Sequence, residues 1–413
     1  MTPFEFDNDF DTSSKNAGSS LSSNDSERRV VSGMRPTGRL HIAHHHGVLK
    51  NWVRLQHEYD CFFFVADWHA LTTHYQEAGD IEQFTLDTVI DWLATGISPG
   101  SCTIFVQSRV PEHAELHLLL SMITPNSWLE RVPSYKDQIA TLQDRDLDTY
   151  GFLGYPLLQS ADILIYRAGN VPVGADQVAH VELSREIARR FNHIYGREPQ
   201  FEEHAESAIK KMGRKPARLY SNARKEYLER GDAEALERAR ALLTEQQNLS
   251  IGDRERLFGY LEGGGRIILP EPQALLTETP KVPGLDGEKM SKSLNNTLRL
   301  REDPIVVEQK IRTMQTDPQR VRRDDPGDPN KCPVFELHEI YSDEDVRRWA
   351  SNGCMSAGIG CVDCKGPLIE AINKEQAPFI ERAEQFENNQ DLVRSIVIEG
   401  SEAARDVARE TLE

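Results

Sequence analysis

Residues 30–44 read Val30-Val31-Ser32-Gly33-Met34-Arg35-Pro36-Thr37-Gly38-Arg39-Leu40-His41-Ile42-Ala43-His44. Two β-branched residues begin a strand, and Gly33 and Gly38 bracket a loop. Val48, Leu49, Trp52, Val53 and Leu55 then fall near the i, i+3, i+4 spacing of a helix. Strand, glycine-rich loop, helix is how α/β sheets receive nucleotides, with the phosphates at the helix N-terminus. Four histidines crowd that mouth, His41, His44, His45 and His46. They read either as a metal tract or as polar residues at a helix start.

Outward from this unit the α/β alternation continues. Cys61 to Ala66 is a continuous apolar run, the mark of a strand buried on both faces. It ends in Asp67-Trp68-His69-Ala70-Leu71-Thr72, and polar residues at that end of a parallel strand line a ligand crevice. A further strand is expected at Thr103 to Gln107, with crossover helices near 81–95 and 112–123. Tyr155-Pro156 reads as a helix start with proline in the first turn. Tyr155, Gln159 and Asp162 are spaced i, i+4, i+7 and share one face, either an exposed stripe or a polar set inside an apolar pocket. Val171 to Gln177 is a glycine loop leading into a second helix, Val178 to Phe191. The expected class is α/β, a Rossmann-like parallel-sheet catalytic domain at 29–200.

Far downstream stands Lys289-Met290-Ser291-Lys292-Ser293, with Pro283, Gly284 and Gly287 before it and Asn295 and Asn296 after it. This composition predicts a mobile loop that brings two ammonium groups to one point, which suits a polyphosphate. Residues 270–300 form the segment that carries it. Between Phe201 and Leu269 the chain reads as a helical insertion with a basic start, Lys210, Lys211, Arg214, Lys215, Arg218, Arg224 and Lys225. After Leu300 a helical domain, 301–413, holds a second basic group at Lys310, Arg312, Arg320, Arg322 and Arg323.

That last region also holds Cys332, Cys354, Cys361 and Cys364, separated by 21, 6 and 2 residues. Three cysteines beside Gly353, Gly358 and Gly360 predict a metal-ligand loop. Zinc is the default for four thiolates. Single cysteines spread around one Cys-x-x-Cys pair suit a 4Fe–4S cubane better. The chain has 413 residues, a formal net charge of −18 and a mean hydropathy of −0.54. No apolar run can span a bilayer and no signal core opens the chain, so a cytoplasmic protein without membrane attachment is expected. The acidity argues against non-specific nucleic-acid binding over the whole surface, though a local basic patch can still hold phosphate. Residues 1–28, acidic and then Ser/Asn-rich, read as a disordered tail.

His41-Ile42-Ala43-His44 resembles the HIGH signature and precedes the KMSKS signature in the order of class I aminoacyl-tRNA synthetases. The strings SGMRPTGRLHIAH, FVADWHALTTHY, YPLLQSADIL, VPVGADQ and KMSKS resemble those of the bacterial tryptophanyl-tRNA synthetases. The resemblance implies a homodimer that binds ATP with Mg²⁺, L-tryptophan and tRNA(Trp). It places Arg35, Pro36, Thr37, His41, Ala43, His44, Gly174, Ala175, Asp176 and Val282 at ATP, together with Met290, Ser291 and Ser293 of the loop. Lys289, Lys292, Lys136 and His44 become the catalytic set. Asp162 would accept the indole N–H, Tyr155 and Gln177 would hold the α-ammonium, and Gln159 would complete the tryptophan site. Ala43 departs from the family glycine and narrows the room for adenine by one methyl. The resemblance further implies that the C-terminal helices read the anticodon, and some of these enzymes carry a 4Fe–4S cluster at nearly this cysteine spacing. The tyrosyl enzyme and a non-catalytic RNA-binding paralogue are the rival readings.

Overall fold

The computed structural model describes residues 28–133, 135, 148–197, 199–277 and 280–413. The expected tail, Arg28 apart, and Lys136 lie outside them. Five strands, β1 (Arg29–Met34), β2 (Asp60–Val65), β3 (Thr103–Val106), β4 (Asn170–Val173) and β5 (Gln273–Leu276), form one sheet in the order β3-β2-β1-β4-β5. Every neighbouring pair is parallel.

The apolar run of β2 explains the layering. Phe62 and Phe64 point into one core with Leu157, Ala161 and Leu164 of the helix Tyr150–Leu164. Phe63 and Val65 point into the other, with Val89, Trp92 and Leu93 of the helix Ile81–Thr95. A strand with both faces covered has no polar face to offer, hence the unbroken apolar sequence. Trp52 of the first crossover lies flat on Phe63, ring centroids 4.3 Å apart.

Two local expectations change. The single helix expected after Gly38 is three pieces, Ile42–His44, a π turn His45–Leu49, and Lys50–Leu55. The helix expected to open at Tyr155 opens at Tyr150, because the Thr149 hydroxyl accepts the Phe152 N–H at 3.2 Å and caps it. Pro156 is therefore inside the helix and buried, not in its first turn.

The chain divides into two compact units. Arg197–Ile267 is one, with four helices, Phe201–Lys211, Arg214–Arg230, Ala233–Glu245 and Ile251–Leu261. Alanines at their crossings (Ala205, Ala208, Ala235, Ala239) and the buried Tyr220, Leu243 and Leu257 give it a core of its own. The other unit joins Glu27–Gly196 to Ile268–Glu413. The C-terminal helices, which the sequence sets apart as 301–413, complete this unit. Helix Cys361–Glu387 packs on Ile81–Thr95, where Arg382 donates to the Ala94 carbonyl at 2.7 Å. Helix Gln390–Leu412 covers the edge strand β3, and the Ser401 hydroxyl accepts the Val106 N–H at 3.5 Å.

Gly400 makes this cover possible. A Cβ there would collide with the backbone carbonyl of Ile104. Gly400→Ala must push the helix off the strand, and we expect it to cost about 1–3 kcal/mol. Urea unfolding checks this; an unchanged midpoint would mean the helix slides freely on β3.

Candidate active site

A cavity of about 550 Å³ opens at the C-terminal ends of β1 and β4. β1 has β2 on one side and β4 on the other, so the chain order reverses there, and loops from the two strands diverge to leave a crevice. The volume suits a small ligand. Its wall brings together Arg35, Thr37 and His44 from the first crossover with Gly174, Asp176 and Gln177 after β4. Tyr155, Gln159 and Asp162 also line it, so the polar face of their helix is a pocket wall and not an exposed stripe.

Asp162 forms the floor and is 1% exposed. Gln107 Nε2 donates to its Oδ1 at 2.7 Å, His113 Nδ1 meets the same oxygen at 2.6 Å, and His69 Nε2 meets Oδ2 at 2.7 Å. His113 Nε2 in turn meets the Tyr166 hydroxyl at 2.6 Å. Burial alone would raise this carboxyl; the charges and hydrogen bonds of His69 and His113 overcome it and hold the pKa at about 2. Asp162 is thus a fixed anion with acceptor capacity left on Oδ2. His69 follows the strand end that the sequence marks as ligand-binding, where its type alone assigns it no role. Gln107, His113 and Tyr166 carry no sequence signal that selects them.

The two signature segments meet through their backbones. Ile42 N–H donates to the Leu298 carbonyl at 3.0 Å and Leu300 N–H to the Leu40 carbonyl at 2.9 Å. The buried Asp91 accepts the Leu40 N–H at 3.1 Å and the Arg301 guanidinium at 2.5 Å. The loop of Lys289 is tied down rather than loose. Asn296, 3% exposed, donates to Asp286 at 2.7 Å and to the Lys289 carbonyl at 3.2 Å, and accepts the Ser291 N–H at 2.8 Å. Gly284 is required beside it, since a Cβ would strike the Asn296 amide.

The two lysines part company. Lys292 Nζ donates to the Gly38 carbonyl at 2.6 Å and reaches the Thr37 hydroxyl at 3.5 Å, at the cavity rim. Lys289 is exposed. Met290 and Val282 are buried together in an apolar cluster with Ile42. Pro36, His41, Ala43 and Ala175 lie outside the cavity wall. His44 Nδ1 accepts the His41 N–H at 3.2 Å, which leaves the proton of the neutral ring on Nε2. Burial lowers His41 to about 4, with Lys292 adding to the effect, and burial likewise pushes His44 well below its ordinary value, with His41 and Lys292 adding to the fall. Both rings are therefore neutral near pH 7, beside the Lys292 side chain.

Residues 23–212 and 245–375 match the family model of tRNA synthetases class I (W and Y). The chain is 64% identical to the tryptophan–tRNA ligase of Ralstonia nicotianae, over 93% of this chain and 96% of that one. The chain belongs to the tryptophan–tRNA ligase family. A ligase of the same name from Thermotoga maritima is 43% identical over 93% of this chain and 97% of its own. Among solved structures, the tryptophanyl-tRNA synthetase of Campylobacter jejuni complexed with ADP and tryptophan superposes with a TM-score of 0.68 at 27% identity. That superposition covers 93% of this chain and 97% of that one.

In this member of the ligase family the four cysteines gather near two buried cations. Cys332 precedes the helix Pro333–Tyr341, Cys354 is in Glu344–Met355, and Cys361 and Cys364 open Cys361–Glu387. Arg320 Nη1 lies 3.8 Å from Cys354 Sγ. Lys365, 3% exposed, donates to the Arg312 and Met314 carbonyls at 2.9 and 2.6 Å, and Cys361, Cys332 and Cys364 all act on its charge. Burial pushes the Cys364 thiol up to about 12, and the other three thiols add to the shift. Among the described residues no three His, Cys, Asp or Glu side chains are placed to hold one metal ion. Part of the second basic group is engaged within the fold: Lys310 pairs with Glu302 at 2.5 Å, Arg312 with Glu308 at 2.8 Å, and the buried Arg320 donates to Ile359 O at 2.6 Å, while Arg312, Arg322 and Arg323 are exposed.

Burial pushes Lys292 down to about 8, Asp91 pulling it back and Arg35 adding to the fall. Below that pH the free protein is already charged for ATP; above it, ATP must recapture the proton. ATP affinity should therefore be level up to about pH 8 and weaken by up to about tenfold per unit above it. Lys292→Arg should abolish this pH dependence, because arginine stays charged. Calorimetric titration of ATP across that range decides it.

Proposed function

We propose that this chain activates L-tryptophan with ATP to give tryptophanyl-adenylate and pyrophosphate, then transfers the acyl group to tRNA(Trp). One observation carries the reading: a buried anion, Asp162, at the floor of a cavity whose mouth holds His44, Thr37 and Lys292. The indole N–H donates to Asp162 Oδ2, the oxygen that His69 shares. Tyr155 and Gln177 take the α-ammonium, and Gln159 stands beside them. The tryptophan carboxylate attacks the α-phosphorus of ATP, the bond to the bridging oxygen breaks, and pyrophosphate leaves. No protein nucleophile is needed.

Catalysis is placement and charge stabilisation. Arg35, Pro36, Thr37, His41, Ala43 and His44 hold the nucleotide from one side, with Gly174, Ala175 and Asp176 at the ribose and Val282 at the adenine. Lys292 and Lys289, carried on the loop with Met290, Ser291 and Ser293, offset the charge that grows on the phosphates; Lys136 is assigned the same task. Mg²⁺ arrives with ATP. The 2′-hydroxyl of the terminal ribose then attacks the acyl carbon of the adenylate, the acyl–phosphate bond breaks, AMP leaves and the hydroxyl proton departs with it, and the C-terminal helices take the anticodon arm. The protein works in the cytoplasm as a homodimer, for which the exposed Leu118, Leu119 and Met122 supply an apolar patch.

The cysteine site fits a 4Fe–4S cluster. Lys365 and Arg320 are buried counter-cations for an anionic tetrathiolate. Cys332, Cys354, Cys361 and Cys364 would hold the cubane, which would pin their three helices together.

Amino-acid-dependent ATP–pyrophosphate exchange, run over all common amino acids, tests the activity. Tryptophan should support exchange; support by tyrosine in its place would overturn the assignment. Lys289→Ala should lower kcat for exchange about 10²–10³-fold and leave tryptophan affinity nearly intact, because its charge acts on phosphates that gain charge in the transition state. Equal losses in both would remove Lys289 from the phosphate site. Purified without air, the protein should be brown with about four irons per chain; a colourless protein with one zinc would contradict the cubane.

A further inference from the structure

No described residue of the unit Arg197–Ile267 lines the cavity. The family match is interrupted over residues 213–244, so the helix Arg214–Arg230 and most of the helix after it add to the shared frame. The addition is unusual in charge. Residues 210–225 hold seven basic and no acidic side chains, in a chain of net charge −18.

Some of these cations are structural. Lys211 bonds to Asp253 at 2.6 Å, and Arg224 lies 3.8 Å from the Tyr260 ring and donates to the Tyr260 carbonyl. Others are not. Among the described residues no ion pair engages Lys210, Arg214, Lys215 or Arg218. Helix Arg214–Arg230 turns Tyr220 and Ala223 inward. Arg214, Arg218, Ser221 and Lys225, at i, i+4, i+7 and i+11, form one stripe on the opposite side, and all four are exposed. At 1.5 Å per residue the stripe is about 16 Å long, the span of several backbone phosphates. It ends at Glu229, 3.9 Å from Lys225, while Glu226 turns away to Arg238 at 2.9 Å.

The placement is unfavourable for the fold alone. Arg214 and Lys215 sit in the first turn of their helix, where the macrodipole repels cations. That start has no side-chain cap and no acidic residue in its first turn. A solvated face would be more stable with these charges at the other end. We infer that the stripe Arg214–Arg218–Ser221–Lys225 is a docking surface for the sugar–phosphate backbone of tRNA. The inference rests on the ligase reading above and extends it to a unit none of whose described residues lines the cavity. Four positions on one rigid helix contact phosphates without reading bases, so the surface adds affinity and orientation rather than sequence choice.

The test uses the full chain with Arg214→Gln, Arg218→Gln and Lys225→Gln combined. These side chains are exposed and glutamine keeps the helix. Aminoacylation is followed against tRNA concentration at several salt concentrations. The expected result is a KM for tRNA at least about tenfold higher at low salt and a log–log salt slope shallower by about 2–3, with tryptophan-dependent exchange unchanged. An unchanged KM and slope with exchange intact would overturn the surface. A wild-type chain without tryptophan-dependent exchange would instead overturn the ligase reading. Lysine acetylation of the wild-type chain is a second measurement that needs no variant: tRNA should protect Lys225, and its full reactivity in the complex would also overturn the proposal.

Discussion

Two backbone hydrogen bonds, Ile42 N–H to Leu298 O and Leu300 N–H to Leu40 O, join segments some two hundred and fifty residues apart in the chain. The active-site geometry depends on this short ladder. It brings His41 and His44 within electrostatic reach of Lys292 at the cavity rim. Asp91 locks the arrangement by bonding to Leu40 and Arg301 at once, and Arg301 also engages Glu387 at the end of the helix Cys361–Glu387. A buried pair of this kind gains little over apolar packing but is costly to break, which makes it a device for holding one geometry.

The cysteine-bearing helices back the same loop. A Cβ on Gly287 would stand 2.8 Å from Pro333, the residue after Cys332, and Gly287 has φ near +85°. Gln315 N–H donates to the Leu285 carbonyl at 2.9 Å, next to the carbonyls that Lys365 caps. Met290 shares its apolar cluster with Cys332, Leu337 and Ile369. The loop therefore has a firm rear wall, and it can hold Lys292 at the rim while Lys289 is left in solvent.

Much of this was legible in the sequence, for reasons that differ by residue. The strands of β2 and β3 were readable because burial on both faces demands unbroken apolar runs. Asp162 and its helix neighbours were readable because three polar residues on one face of an apolar helix need an explanation. The π turn at His45–Leu49 was not, because its pattern of apolar residues is that of a helix. The partners of Asp162 were hidden for another reason: Gln107 and His113 reach it across the sheet from a different strand end, and no local spacing records such a meeting. The C-terminal helices misled in a third way. Their amphipathic faces predict helices but not what those faces pack against, and Gly400 looks ordinary until the Ile104 carbonyl lies beneath it.

The central claim is that one cavity seats tryptophan on Asp162 and ATP between the two signatures. A crystal structure with L-tryptophan and a non-hydrolysable ATP analogue tests it most directly. The account predicts the indole nitrogen within hydrogen-bonding distance of Asp162 Oδ2, and the phosphates between His44 and Lys292 with Lys289 drawn in. An indole bound away from Asp162, or phosphates seated elsewhere than between those two segments, would contradict it.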